Sequence, residues 1–222
     1  MQAVDRPSLI FDYDGTIHDT MRIYEPAVRR AFRWLREQGA SVPEVSGKKI
    51  ASWLGMNTSD MWNSFLPGLP AKLKRRAAAM VGEYMKTEVL AGRAAWYPEI
   101  YTVLDELKRR GYRMAVLSNC QKSYGQVHWN TFKMERWFDF FFDCESFQSA
   151  PKSEIILKLD KVFPPPYVVV GDRYSDFEAA RSSGSPFIGC LYGFGTAEEL
   201  EQADYLAESP EKILGFFNAS FK

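Results

Sequence analysis

The sequence predicts an α/β protein: a parallel sheet covered by helices on both faces, three layers in all, interrupted by a helical insert. Three observations predict it. Short apolar runs (Leu9-Ile10-Phe11, Met114–Leu117, Phe140–Phe142, Tyr167–Val170 and Phe187–Leu191) alternate with stretches of helical apolar spacing. Runs apolar throughout read as strands buried on both faces, and their alternation with helices reads as right-handed βαβ units. Several of these runs end in polar residues, the place where open parallel sheets bind ligands. Residues 20–95 contain no convincing strand. The expected division is an α/β core over 1–19 and 96–222 and a helical domain over 20–95.

Taken in order, the first strand ends at Phe11 and gives way to Asp12-Tyr13-Asp14-Gly15-Thr16. Helical spacing follows over 23–38, with Gly39 as a stop, then over 48–54, 58–65 and 70–90. Pro98 opens a helix that runs to Gly111, after which Met114–Leu117 reads as a buried strand closed by Ser118-Asn119. A helix over 123–135, a strand at Phe140–Phe142 and a helix over 153–161 follow. Three prolines precede Tyr167–Val170, the clearest strand, which Gly171-Asp172 ends. The remainder reads as helix 175–183, strand Phe187–Leu191, a loop at Gly193 and Gly195, helix 196–202, a weak strand at Tyr205-Leu206 and a helix from Pro210.

Composition narrows the function. Lys plus Arg and Asp plus Glu are 28 each, so formal net charge is zero. Nothing suggests nonspecific attraction to nucleic acid or to an acidic membrane. No apolar run reaches the ~20 residues that cross a bilayer, and the polar start, Met1–Pro7, lacks the apolar centre of a signal peptide. Cys120, Cys144 and Cys190 have no paired spacing, so neither a disulfide frame nor a zinc site is expected, and the expected compartment is the cytoplasm.

Asp12 and Asp14 lie two residues apart at a strand's end, on one side for as long as the strand continues. Two carboxylates about 4 Å apart repel by roughly 4 kcal/mol at an effective dielectric of ~20. A fold avoids such a pair, lets it share a proton, or uses it to hold a cation. Gly15 allows a positive φ and a close main-chain approach to a ligand. Strand, paired acids, glycine turn and Thr16 together suggest a Mg²⁺ and phosphate site, although Asp-x-Asp-Gly also occurs in ordinary turns and calcium loops. Ser118, Asn119, Asp143, Asp172 and Asp176 end or follow the other apolar runs, and Lys152 opens a helix after the third.

Four motifs in this order resemble those of the haloacid dehalogenase superfamily, in its phosphatase branch: Asp12–Thr16, Ser118-Asn119, Lys152, and Gly171-Asp172-Arg173-Tyr174-Ser175-Asp176. The resemblance implies a Rossmann-like core with an α-helical cap inserted after the first motif, opening and closing over the site. It implies Asp12 as nucleophile and Asp14 as general acid and base. Ser118 and Lys152 hold the phosphoryl oxygens. Mg²⁺ is held by Asp12, Asp14 (through its main-chain carbonyl), Asp172 and Asp176. Gly15, Thr16, Asn119 and, in the cap, Lys49 and Asn57 are the candidate substrate-binding residues. An acid at Asp14 favours phosphoryl transfer over dehalogenation. The stretch Gly189–Thr196 with Glu198-Glu199-Leu200 and Ala203–Leu206 resembles the tail of phosphoglycolate phosphatases. Ser153 stands where relatives often carry proline, and His18-Asp19-Thr20 replaces a more usual apolar-Asp-Ser.

The expectation is therefore a Mg²⁺-dependent phosphatase acting on a small phosphorylated metabolite through an aspartyl-phosphate, as a monomer or homodimer, without nucleic-acid or membrane partners. The alternatives are a sugar phosphomutase like β-phosphoglucomutase, a pyrophosphatase or nucleotidase of the same family, and a catalytically silent binding protein. Individual residues have plainer readings: Asp172 as a helix N-cap, Asp176 as a first-turn acid, Lys152 as a solvated lysine, Cys120 as a packing residue. His18 reads as a hinge residue with a structural hydrogen bond. The basic run Lys72–Arg76 reads as an exposed helix face, and Trp34, Trp53, Trp62 and Trp96 as packing.

Overall fold

The computed structural model describes residues 6–56 and 58–220. The chain divides into two compact units, Met1–Asp19 with Trp96–Lys222, and Thr20–Ala95. Among the described residues, no helix is long and apolar enough to cross a membrane.

The first unit is a three-layer α/β fold. Its sheet has six parallel strands, β1 (Ser8–Phe11), β2 (Met114–Ser118), β3 (Phe140–Asp143), β4 (Tyr167–Gly171), β5 (Phe187–Cys190) and β6 (Tyr205–Ala207), in the order β3-β2-β1-β4-β5-β6. The chain winds outward from β1 to one edge, then restarts at β4 on the other side. β1 and β4 thus flank the point where strand order reverses, the ligand position in open parallel sheets.

Strand alternation sorts the apolar residues into two cores. Leu9, Phe11, Met114, Val116, Val168 and Val170 lie in one, with Ile100, Val103, Leu104 and Leu107 of helix α5 (Ile100–Arg109). Ile10, Ala115, Leu117, Tyr167 and Val169 lie in the other, with residues of α7 (Lys152–Ile155) and α8 (Tyr174–Ser182). This period-two sorting is why the strands carry no polar face.

Three expected elements differ. The helix expected over 123–135 is α6 (Lys122–Phe132), which stops because Lys133 takes a left-handed conformation, φ 53°. A short 3₁₀ turn, Met134–Arg136, follows and buries Met134. The helix expected over 153–161 is shortened to α7 and a 3₁₀ turn, Ile156–Lys158, that delivers Leu159 and Phe163 to the core. Residues 196–202 form turns, not a helix. Thr196 and Glu199 do exchange the reciprocal hydrogen bonds of a helix start, Thr196 N–H donating to Glu199 Oε2 and Glu199 N–H to Thr196 Oγ1. The chain then turns to bury Leu200 and reach β6 five residues later.

The second unit is helical: α1 (Met21–Glu37), α2 (Gly47–Ala51), α3 (Thr58–Phe65) and α4 (Ala71–Leu90). Ile23, Ala27, Val28, Ala31, Phe32 and Leu35 of α1 are buried at helical spacing, as are Ala77, Val81, Met85 and Val89 of α4. Phe32 meets the rings of Trp53, Trp62 and Phe65. Lys72, Arg75 and Arg76 are exposed.

Candidate active site

β1 and β4 run in register, Phe11 beside Val170, and Asp12 N–H extends the pairing with a 2.8 Å hydrogen bond to Val170 O. Asp12 and Asp172 therefore leave neighbouring strand ends. Asp176 reaches them from the first turn of α8, where its Oδ2 also accepts from Arg173 N–H at 3.0 Å. Gly171 lies against the Asp176 side chain, where a Cβ would collide with it. Lys152, the first residue of α7, reaches them from the helix packed beside α8. One carboxylate oxygen each of Asp12, Asp172 and Asp176 lies within 4.8 Å of the others. Lys152 Nζ bridges two of them, 2.5 Å from Asp12 Oδ1 and 2.6 Å from Asp176 Oδ1.

All four side chains are buried, Lys152 with only 4% of its surface exposed, which removes the solvated-lysine reading. Three carboxylates against one ammonium leave a surplus of negative charge where water cannot screen it. Burial and the neighbouring Asp176 push the Asp12 carboxyl well above the usual range, despite Lys152. Burial and Asp176 likewise push Asp172 up to about 6, against the hydrogen bond from Phe194 N–H. Burial opposes the charge on Lys152, yet Asp12 and Asp176 hold its ammonium above the ordinary lysine range. A buried set of oxygen donors with excess negative charge suits a hard divalent cation. Asp12, Asp172 and Asp176 fit Mg²⁺ on that chemistry.

Asp172 is enclosed by main chain. Its Oδ2 accepts from Phe194 N–H at 2.6 Å and its Oδ1 from Thr16 Oγ1 at 3.3 Å. A Cβ at Gly193 or Gly195 would strike Asp172, as would one at Gly15, whose φ is +94°. The Gly193–Gly195 loop is thus part of the site, a role its sequence did not disclose.

Asp14 lies beyond the end of the strand, in a loop. β1 ends at Phe11, and the next residues fold into a loop in which Ile17 and His18 N–H donate to Tyr13 O and Gly15 N–H to His18 O. This turn holds the Asp14 carboxylate among side chains of the loop and of α6. Its Oδ1 accepts from Tyr124 Oη at 2.7 Å and lies 3.2 Å from Nδ1 of the buried His18. Asp14 is not part of the three-acid group among the described residues.

The remaining candidates are scattered. Ser118 is buried at the end of β2, its Oγ accepting from Cys120 N–H at 3.3 Å. Asn119 is exposed, and its carbonyl accepts from Cys144 Sγ. Asp143 caps a turn, accepting from Ser146 N–H at 2.7 Å and Ser146 Oγ at 2.9 Å. Lys49 is an exposed residue of α2, and Asn57 lies outside the described residues. Tyr13, Trp96, Tyr124 and His128 surround Asp14 and His18 with a hydrogen-bonded aromatic cluster of which only Tyr13 lies in a motif. The only signal in the sequence is the spacing of Tyr124 and His128, four apart on one helix face.

A family model described as haloacid dehalogenase-like hydrolase matches residues 9–190. A phosphoglycolate phosphatase of Pasteurella multocida is 25% identical over 202 residues, covering 83% of this chain and 85% of the relative. One of Aquifex aeolicus is 23% identical over 191 residues, covering 84% and 85%. Among solved structures, a haloacid dehalogenase-like family hydrolase from Streptococcus pneumoniae matches with TM-score 0.75 at 23% identity, over 95% of this chain and 98% of that one. A structure described as a predicted phosphoglycolate phosphatase from Haemophilus somnus 129pt matches with TM-score 0.81 at 20% identity, over 97% and 99%. At these identities the structural matches bear on the fold.

Proposed function

The chain belongs to the haloacid dehalogenase-like hydrolase family, and from that premise we propose that it is a Mg²⁺-dependent phosphatase of small phosphomonoesters, phosphoglycolate among them. The observation that carries the reading is the convergence of Asp12, Asp172 and Asp176 on one point beside Lys152. The phosphoglycolate phosphatases among the relatives support the substrate class.

In this reading an Asp12 oxygen attacks phosphorus, and the bond from phosphorus to the leaving oxygen breaks. Asp14 gives its proton to that oxygen, so the alcohol departs neutral. Water then attacks the aspartyl-phosphate while Asp14 takes a proton back, releasing inorganic phosphate and restoring Asp12. Lys152 and Ser118 steady the phosphoryl oxygens. Asp12, Asp172 and Asp176, with the Asp14 main-chain carbonyl, would hold Mg²⁺. The cation supplies the positive charge that offsets the acids and the dianionic substrate. Without it, burial and Asp176 raise the Asp12 carboxyl above its ordinary range, against the ionised form that attacks. Residues 20–95 enter the proposal as the cap domain, with Lys49 and Asn57 as its candidate substrate-binding residues. Gly15, Thr16 and Asn119 are the candidates at the phosphate end.

The test is phosphate release from a panel of small phosphomonoesters. Turnover that needs Mg²⁺, stops with EDTA and is lost in Asp12→Asn is expected. No metal-dependent release from any member would overturn the reading, and isomerisation of a sugar phosphate without release would replace it with a mutase.

A further inference from the structure

The acid that would give and take the proton is held by side chains that no motif marks. Tyr124 Oη donates to Asp14 Oδ1 at 2.7 Å, across 110 residues of sequence. Nδ1 of His18 lies 3.2 Å from the same oxygen and 3.3 Å from Tyr124 Oη.

Tyr124 can reach the loop because α6 is pinned in two places. Gly125 rests on Phe141 of β3, where a Cβ would come within 2.7 Å of the ring. One turn along, His128 Nδ1 lies 2.6 Å from Tyr13 Oη, and Trp96 Nε1 lies 3.0 Å from that same oxygen. An indole N–H only donates. Tyr13 Oη therefore accepts from Trp96 and gives its own proton to His128 Nδ1. That direction needs a neutral His128, and burial, with His18 beside it, holds its imidazole well below the usual range. The Trp96–Tyr13–His128 chain is buried throughout. It ties α6 to the residue between the two motif acids, and so sets where Tyr124 stands.

The geometry points to Tyr124 as a positioning residue: its hydroxyl anchors one oxygen of Asp14, fixing the carboxylate in the orientation from which it protonates the leaving oxygen. This rests on the phosphatase reading above. A hydrogen bond that orients a proton donor matters only when the leaving group needs the proton.

The experiment compares kcat/KM, which reads the steps up to leaving-group departure, for 4-nitrophenyl phosphate and benzyl phosphate with Mg²⁺. The two are alike in size, but nitrophenolate leaves unprotonated whereas benzyl alkoxide needs a proton. Tyr124→Phe keeps the ring against His128. It is expected to lower kcat/KM on benzyl phosphate about tenfold or more while leaving 4-nitrophenyl phosphate within about twofold. The nitrophenyl ester serves as the folding control within the same variant, and Asp14→Asn sets the scale of the split. An equal loss on both esters, no loss on either, or a gain on benzyl phosphate overturns the role of Tyr124. Wild type that cleaves the nitrophenyl ester but not benzyl phosphate overturns the proton donor it would serve. Wild type that cleaves neither fails at the phosphatase reading itself, and the role of Tyr124 falls with it.

Discussion

Lys152 Nζ stands 2.5 Å from Asp12 Oδ1, although 140 residues separate them in sequence. Both are buried, and the ammonium also meets Asp176. The lysine is the internal counter-charge of an acid cluster that otherwise repels itself.

Lys152→Met tests that role. Removing one partner of a buried ion set leaves the others uncompensated, at a cost of about 3–5 kcal/mol. Urea unfolding without divalent cation should show a loss of this order, and added Mg²⁺ should restore part of it. Turnover should fall by about 10²-fold or more, as for loss of a charge aimed at a reacting phosphoryl group. Unchanged stability would mean that the acids carry no net repulsion.

Asp172→Asn should separate stability from function. Asparagine keeps the shape and can still accept from Phe194 N–H, but it removes one of three crowded charges. The cation-free variant should melt higher than wild type. Its Mg²⁺ requirement for turnover should rise by more than about tenfold, since a charged ligand is lost. A lower Tm together with an unchanged Mg²⁺ requirement would contradict the cluster's assigned role.

The pH dependence follows from the same carboxyl. Without cation, burial and Asp176 push Asp172 up to about 6, above an unfolded aspartate near ~3.9. The folded protein therefore holds that proton more tightly than the unfolded chain. The stabilisation is complete below about pH 4 and is lost as pH rises through about 6. Asp12, raised for the same reasons, acts in the same direction. The stability of wild type minus that of Asp172→Asn should fall over this window in EDTA. Mg²⁺ competes with the proton, so its stabilising effect should be larger at pH 7.5 than at pH 5. A Mg²⁺ effect independent of pH would contradict this.

Two glycines give opposite expectations for one substitution. At Gly193 a Cβ would strike Asp172, whereas at Gly82, inside α4, nothing lies within 4 Å. Gly193→Ala should abolish the Mg²⁺-induced rise in Tm while far-UV circular dichroism stays near wild type. Gly82→Ala should add about 0.5–1 kcal/mol of stability and leave the Mg²⁺ response unchanged.

The site's charged residues were readable because each ends an apolar run or opens the helix after one. A parallel sheet brings such ends together, so Asp12, Asp172, Asp176 and Lys152 can be grouped before any contact is known. The loop of Gly193 and Gly195 was not readable as part of the site, because its closeness to Asp172 depends on β5 lying beside β4. Asp14 lies past the end of β1, where strand alternation no longer dictates a side, so its partners Tyr124 and His18 could not be read from the motif. Tyr124 and His128 carry no motif, and their partners, Asp14, His18 and Tyr13, lie on the first loop. The turn at Lys133 and the turns over 196–202 escaped because a left-handed lysine and the demand to bury Leu200 leave no local signature.

The central claim is that Asp12, Asp172 and Asp176 hold one divalent cation beside Lys152. It is tested most directly by titrating Mn²⁺ into the protein and following the free ion by electron paramagnetic resonance, with Mg²⁺ as competitor. The account predicts a Mg²⁺-displaceable site, one per chain, that is lost in both Asp12→Asn and Asp172→Asn. Mn²⁺ binding that survives both substitutions, or no binding to the wild type, would contradict it.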